Sequence, residues 1–299
     1  MKNFQVLKLK KFLKDRNIKL YLNQDLEHYH TYKISCLAKY FIEIDNEQDL
    51  ISIIKFFKQN NVKYFILGNG SNVLFKEKIY QDVIVHLKDS DCDICDTNVK
   101  AFAGNLIQKV LKICENHCLS GLEWSVGIPA SVGGAVFMNM GSFSYQISQF
   151  ISCVYYFTGK QVRKLTHFNN KFSYRNSFFR RKEYIILSVE FTLKKIEKEV
   201  IRVNRINYLK QKISLQPLDS FSCGSVFKNH KKLYVAKLIE SCGLKGLSYG
   251  GAMISKKHSN FIINKKNASS KDIITLIRMV KKIIQNKYNI CILCEVVIK

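Results

Sequence analysis

Three groups of residues in this sequence carry chemical potential before any element is assigned. The first is a pair of glycine-rich stretches, Gly68-Asn69-Gly70-Ser71-Asn72 and Gly127-Ile128-Pro129-Ala130-Ser131-Val132-Gly133-Gly134. Glycines let backbone come close to a ligand, and amides gathered in such loops can hold an anion such as phosphate. The second is a lone carboxylate, Glu295, inside the apolar run 290–298. A carboxylate in apolar surroundings costs several kcal/mol unless it is paired or wet. Glu295 therefore faces solvent at an edge or lines a site. The third is Arg175, in Tyr174-Arg175-Asn176-Ser177, which taken alone reads as a surface cation.

The glycine stretches also have plain readings. Asn-Gly is the commonest hairpin turn, so 68–72 fits a turn between strands as well as a phosphate cradle. It lacks the following helix and the spacing of the dinucleotide fingerprint. The second stretch lies in the window 121–143, unlike the rest of the chain. Of 299 residues two are proline and one is tryptophan; Pro129 and Trp124 both fall here, with five of the fourteen glycines. The amides of 128–134 could converge on one anion, or the window could be a tight turn between a strand and a small-residue helix.

The elements that must hold these residues follow from periodicity. Residues 1–29 are lysine-rich, with weak helical character. Strands are expected over 39–44, 62–67, 73–75, 83–87, 99–103 and 184–193. Helices are expected over 49–60 and 105–117, the first with Leu50, Ile53, Ile54 and Phe57 on one side. Residues 151–158 and 161–166 form a hairpin around Gly159-Lys160. A long helix occupies about 197–213, and a domain boundary falls just before it. Pro217 opens a loop ending in Ser222-Cys223-Gly224-Ser225-Val226-Phe227-Lys228-Asn229. A helix over 234–242 closes at Gly243, Gly250-Gly251 opens a strand, 261–264 is another, and Ser269 or Ser270 caps a helix to about 287. The apolar run 290–298 reads as the last strand.

Composition bounds the class. The chain is globular by its 47% hydrophobic and 12% aromatic content. No apolar run reaches the roughly 18 residues of a membrane span, and the N-terminus lacks the continuous apolar core of a secretory signal. A cytoplasmic location is expected. The ten cysteines are scattered, as reduced thiols are in cytosolic enzymes. Two CxxC spacings argue weakly for zinc: Cys291/Cys294 lies in a strand-like run, where residues three apart point to opposite faces, and Cys92/Cys95 has no second pair nearby. No metal is expected. The net charge of +25 is spread along the chain. It suits anionic small ligands; a nucleic-acid partner is the weaker reading.

Taken together and in order, the islands resemble the UDP-N-acetylenolpyruvoylglucosamine reductases. The carrying residues are Gly68 to Asn72, Gly127 to Ala135, Asn139 with Gly141, Tyr174 to Ser177, Cys223 to Asn229, Ala236 to Gly246, Lys257-His258, Asn260-Phe261 and Glu295-Val296. The resemblance runs from about Thr31 to the C-terminus. It implies an α+β chain: a two-part FAD-binding domain of the vanillyl-alcohol oxidase type (1–194, subdomains about 1–98 and 99–194), then a smaller α/β substrate domain (195–299). The short passage from Gly246 to Gly251 resembles the family's shorter variety, which lacks an extra substrate-domain loop.

What the resemblance implies for chemistry is specific. FAD is held non-covalently by Gly68, Asn69, Gly70, Ser71, Asn72, Ile128, Pro129, Ser131, Gly133 and Gly134, with Trp124, Gly127 and Val189 near the flavin. NADPH gives a hydride to flavin N5, and the flavin gives it to C3 of the enolpyruvyl ether of a UDP-sugar. Arg175 stabilises the developing enolate, Glu295 assists it, and Ser225 protonates C2. Tyr174, Lys228 and Asn229 bind the nucleotide-sugar. The product serves peptidoglycan synthesis, hence cell shape and division, and the enzyme is expected to be a monomer without nucleic-acid or membrane partners. The chain departs from the family at Cys36-Leu37, Ala130 and Phe143. It also has Leu215 where relatives carry a lysine; Lys212 is a possible substitute. The alternatives are another FAD oxidoreductase on the same fold and a basic nucleic-acid-binding protein. Oxidases of that fold often tether FAD through His or Cys, and neither occurs in 68–72 or 127–134.

Overall fold

The computed structural model describes residues 3–182, 184–230 and 233–299. Its helices are α1 (Asn3–Lys14), α2 (Glu47–Gln59), α3 (Ile107–Asn116), α4 (Val132–Phe137), α5 (Phe178–Lys182), α6 (Lys198–Leu215), α7 (Val235–Ser241) and α8 (Ser270–Tyr288). Among the described residues no helix is long and apolar enough to cross a membrane. The chain groups into two compact units, each with its own core.

The first unit comprises Met1–Gln24, Ala38–Asn69 and Gln81–Lys210. It carries a four-stranded sheet in the order Leu20–Asp25, Leu37–Ile44, Ile79–Leu87, Tyr64–Leu67. The last two strands run parallel, from Tyr64 opposite Val83 to Leu67 opposite His86. A five-stranded antiparallel sheet follows the order Val162–Leu165, Ile151–Phe157, Ile185–Thr192, Asn98–Phe102, Cys92–Cys95. Leu50, Ile53, Ile54 and Phe57 of α2 are fully buried in the unit's core. Each such burial stabilises by roughly 1.5–3 kcal/mol, enough to fix the helix by that one face. Asn46 caps α2 by accepting from Asp49 N at 2.9 Å.

The second unit comprises Asp25–Leu37, Gly70–Tyr80 and Gln211–Lys299. A three-stranded antiparallel sheet, Ser248–Tyr249, Ala252–Ile254 and Ile262–Asn264, packs beneath α8. The helix buries Ile273, Leu276, Ile277, Val280 and Ile284. Ser269 and Asp272 form a reciprocal cap at its start. Val73–Leu74 pairs in parallel with Val297–Ile298.

Three expectations change. The lysine-rich start is more ordered than its composition implies: α1 buries Leu9 and Leu13, and Leu20–Asp25 is a strand. The run 290–298 is a strand only at Val297–Ile298. Before that its backbone meets a separate segment, with Lys228 N donating to Leu293 O and Glu295 N to Val226 O. The argument against zinc at Cys291/Cys294 thus loses its strand geometry. Finally, the strands flanking 68–72 each pair elsewhere, so this loop is not a hairpin turn.

Candidate active site

Within the first unit, Gly68 and Asn69 at the start of the first glycine stretch meet the second stretch. A Cβ on Gly68 would lie 2.0 Å from Ser131 Oγ, so only glycine permits this approach. Asn69 Nδ2 donates to Pro129 O at 2.7 Å. Ser131, 3% exposed, is the N-cap of α4 and accepts from Gly134 N at 3.3 Å. Behind the loop stands Gln108 of α3. Its Oε1 accepts from Gly127 N at 3.1 Å, and its Nε2 donates to Ser125 O and Ile128 O at 3.0 and 3.1 Å.

The loops differ in their amides. Of the two readings of 128–134, the converging amides do not fit their bonds. Ile128 N donates to Ser125 O, Ala130 N to Ile128 O, Val132 N to Asn105 O and Gly133 N to Ala103 O. With Gly134 N on Ser131 Oγ, the Ser131 amide alone in 130–134 lacks an acceptor among the described residues. In the first loop the amides of Asn69, Gly70, Ser71 and Asn72 all lack one among the described residues. The open donors are in the first stretch, and the second is a braced platform.

Arg175 sits at the tip of a tight hairpin, Phe172–Ser173 with Asn176–Ser177. Its φ of +52° is a strained conformation for a side chain of this size. Its Nη2 donates to Gly141 O at 2.9 Å, and its guanidinium lies 5.4 Å from the Tyr174 ring centre. Tyr174 is half exposed. Gly141–Ser142 pairs with Tyr145–Gln146 in a second hairpin, whose turn residues Phe143 and Ser144 both have positive φ.

The second unit brings the backbone segments that carry the other two predicted catalytic residues side by side. Ser225 bridges to Phe261, and the next residue, Val226, accepts through its carbonyl from Glu295 N at 2.8 Å. Ser225 and Glu295 thus lie on adjoining segments, both partly exposed. Asn260 pins this segment: its Oδ1 accepts from Phe227 N at 3.0 Å and its Nδ2 donates to Phe227 O at 2.8 Å. The end of the first loop joins them, because Asn72 Nδ2 donates to Glu295 O at 3.1 Å. Gly70, with φ +59°, packs so closely that a Cβ would lie 2.3 Å from Tyr29 O.

Other predicted residues are placed less simply. Trp124 is 2% exposed, donates to Gly121 O and stacks near Tyr145 and Phe150; Val189 is wholly buried mid-sheet. Packing occupies both side chains. Asn229 Oδ1 accepts from Val235 N at the start of α7, while Lys228 is partly exposed beside it. Leu215 is exposed, but Lys212 is 2% exposed, and burial pulls its ammonium down to about 7. Burial pushes the Cys223 thiol up to about 12, so it stays neutral beside Ser225. Gln108 and Asn260 were not singled out for these roles. Their partners are backbone groups of distant loops, and no local pattern signals them.

Comparison with known proteins accounts for this arrangement. A family profile described as FAD binding domain matches residues 38–158, and one for the C-terminal domain of UDP-N-acetylenolpyruvoylglucosamine reductase matches 216–299. The reductase of Clostridium novyi is 37% identical over 273 residues, 91% of this chain and 89% of its own. That of Caldanaerobacter subterraneus is 35% identical over 298 residues, 99% and 98% of the two chains. The crystal structure of the Thermus caldophilus reductase superposes with a TM-score of 0.79 at 28% identity, covering 94% of this chain and 98% of that one. The chain belongs to the UDP-N-acetylenolpyruvoylglucosamine reductase family, FAD-dependent oxidoreductases of peptidoglycan precursor synthesis.

Proposed function

We propose that this chain reduces UDP-N-acetylglucosamine enolpyruvate to UDP-N-acetylmuramate, with NADPH as the electron source. Its residues fit a bound FAD. The amides of Asn69 to Asn72 and of Ser131 are neutral donors without protein acceptors among the described residues, the donor set a diphosphate requires. Gly134 is exposed and lets a ligand approach the backbone closely. When bound, FAD supplies from N5 the hydride that reaches C3 of the enolpyruvyl group.

The protein's own side chains answer the charge this produces. Negative charge grows at C2 and toward the substrate carboxylate. Arg175, fixed at its hairpin tip by Gly141 O, offers a planar cation to that carboxylate. Ser225 gives its hydroxyl proton to C2. A serine is a weak acid, so the proton moves only as carbanion character develops. Glu295, carrying a proton, supports the enolate by donating a hydrogen bond to it. Tyr174, Lys228 and Asn229 hold the nucleotide-sugar, and the net charge of +25 favours its anionic diphosphate.

One observation carries the reading: the 2.8 Å bond from Glu295 N to Val226 O supports a proton donor and a carboxylate working side by side. The test is anaerobic. The holoenzyme is reduced with NADPH, UDP-N-acetylglucosamine enolpyruvate is added, and flavin absorbance is followed. Return of the oxidised spectrum is expected. Reduced flavin that never recovers would refute the substrate, and Ser225→Ala turning over at the wild-type rate would refute the proton donor.

A further inference from the structure

The residues around Arg175 form a network that the catalytic assignment does not use. Four residues of 137–141 take hold of the segment 173–180. Phe137 O accepts from Ser177 Oγ at 2.7 Å, and Met138 Sδ lies 3.8 Å from Arg180 Nη1. Asn139 Nδ2 donates to Ser173 O at 3.0 Å and to Gln146 Oε1 at 2.5 Å. Gly141 O accepts from Arg175 Nη2, and Arg180 Nη1 donates to the Arg175 carbonyl at 3.4 Å.

Asn139 is the node. It is 1% exposed and sits at φ +45°. One of its bonds fixes Ser173, two residues before Arg175. The other fixes Gln146, the strand partner of Gly141, whose carbonyl holds the guanidinium. Both ends of the arginine, backbone and head group, are referred to one amide. The Asn139 Oδ1 has no partner among the described residues. Burying an unpaired acceptor is costly, and such groups in native structures call for a reason beyond packing. Asn139 also follows the C-cap of α4, Met138, and the N-cap of α4 is Ser131 of the braced glycine loop. The helix therefore carries the cofactor platform at one end and the arginine's anchor at the other.

We propose that Asn139 is the positioning residue for Arg175, setting where its guanidinium meets the substrate carboxylate. This rests on the role given to Arg175 above. The test measures two half-reactions in the holoenzyme, flavin reduction by NADPH and flavin reoxidation by the UDP-sugar. Asn139→Gly removes the amide and keeps a residue suited to positive φ. Wild-type FAD content and flavin reduction are expected, with reoxidation slowed about 10- to 100-fold, the loss typical of a catalytic group displaced by about 1 Å. In an Arg175→Ala background the same substitution should slow reoxidation no further. Equal slowing in both backgrounds, or equal loss from both half-reactions, overturns the proposal and leaves Asn139 a structural residue. Gln146→Ala should show the same pattern more weakly, and it carries the test if Asn139→Gly does not fold. If Arg175→Ala itself reoxidises normally, the arginine's role and this inference fall together. A slow Arg175→Ala beside an unaffected Asn139→Gly removes this inference alone.

Discussion

In the stretch 127–134, the amides of Ile128, Ala130, Val132, Gly133 and Gly134 each donate within the protein; in Gly68–Asn72, those of Asn69 through Asn72 donate to no described residue. Both stretches are rich in glycine and serine, and the sequence offers the same anion-binding reading for each. Their glycines nevertheless answer different needs. Gly70 is required by backbone: positive φ and an approach to Tyr29 O that no side chain could share. Gly133 is required by packing against Ala103. Gly134 has neither constraint. It is exposed, its φ is helical, and Ser131 Oγ stands 3.2 Å from the Cβ position. Glycine content therefore marks several different close approaches, and only hydrogen-bond accounting separates a donor loop from a platform.

The sharpest break in this comparison is Gly70→Ala. The left-handed backbone costs about 1–2 kcal/mol and overpacking against backbone about 1–3 kcal/mol more. A total of roughly 2–5 kcal/mol is a large part of a domain's stability. Denaturant unfolding should show this drop, with purified protein short of flavin. A Gly70→Ala variant as stable as wild type would mean that the loop can move off Tyr29 freely.

Next is the platform's brace. Gln108→Ala strips the acceptor from Gly127 N and the donors from Ser125 O and Ile128 O. Half-buried groups left unpaired cost about 1–3 kcal/mol in total, because water reaches some of them. Thermal unfolding of the FAD-free protein should register that loss, and FAD should dissociate faster. If only the dissociation rate changes, the platform is held by α4 and not by Gln108.

Legibility in the sequence follows the range of the interactions. Helix α2 and the Ser269 cap of α8 are written in spacing and in capping residues, so the expected and observed elements agree within a few residues. The order of the glycine loops, the Tyr-Arg-Asn-Ser motif and the terminal Glu295 carry the family. Three features stayed silent for physical reasons. Phe143, Ser144 and Arg175, at the tips of two hairpins, adopt positive φ without glycine, so usual turn chemistry does not flag them. Two of the occupied amides in 128–134, those of Val132 and Gly133, depend on Asn105 and Ala103, which reach them only in the folded unit. The run 290–296 is apolar as a strand would be, yet it is tied to Val226 and Lys228 by separate bonds. Apolar content reports burial, not a regular ladder.

The smallest effect on the fold is the most informative about the ligand. Alanine is favoured over glycine within a helix by about 1 kcal/mol, and Ser131 Oγ needs to yield only a few tenths of an ångström to a Cβ at Gly134. Gly134→Ala should therefore leave unfolding of the FAD-free protein within about 0.5 kcal/mol of wild type, the loss of space and the gain in propensity offsetting each other. Gly133→Ala, facing Ala103 Cβ at 2.8 Å and its carbonyl at 3.0 Å, should lose about 1–2 kcal/mol by the same reckoning. FAD titration reverses the order. A methyl on exposed Gly134 stands where a ligand would approach the platform, so affinity should fall about tenfold, or 1.4 kcal/mol. Gly133→Ala, whose methyl points into the core, should change affinity less. If Gly134→Ala binds FAD as wild type does, the ligand does not approach the platform at this glycine, and binding rests on the open amides of the first loop.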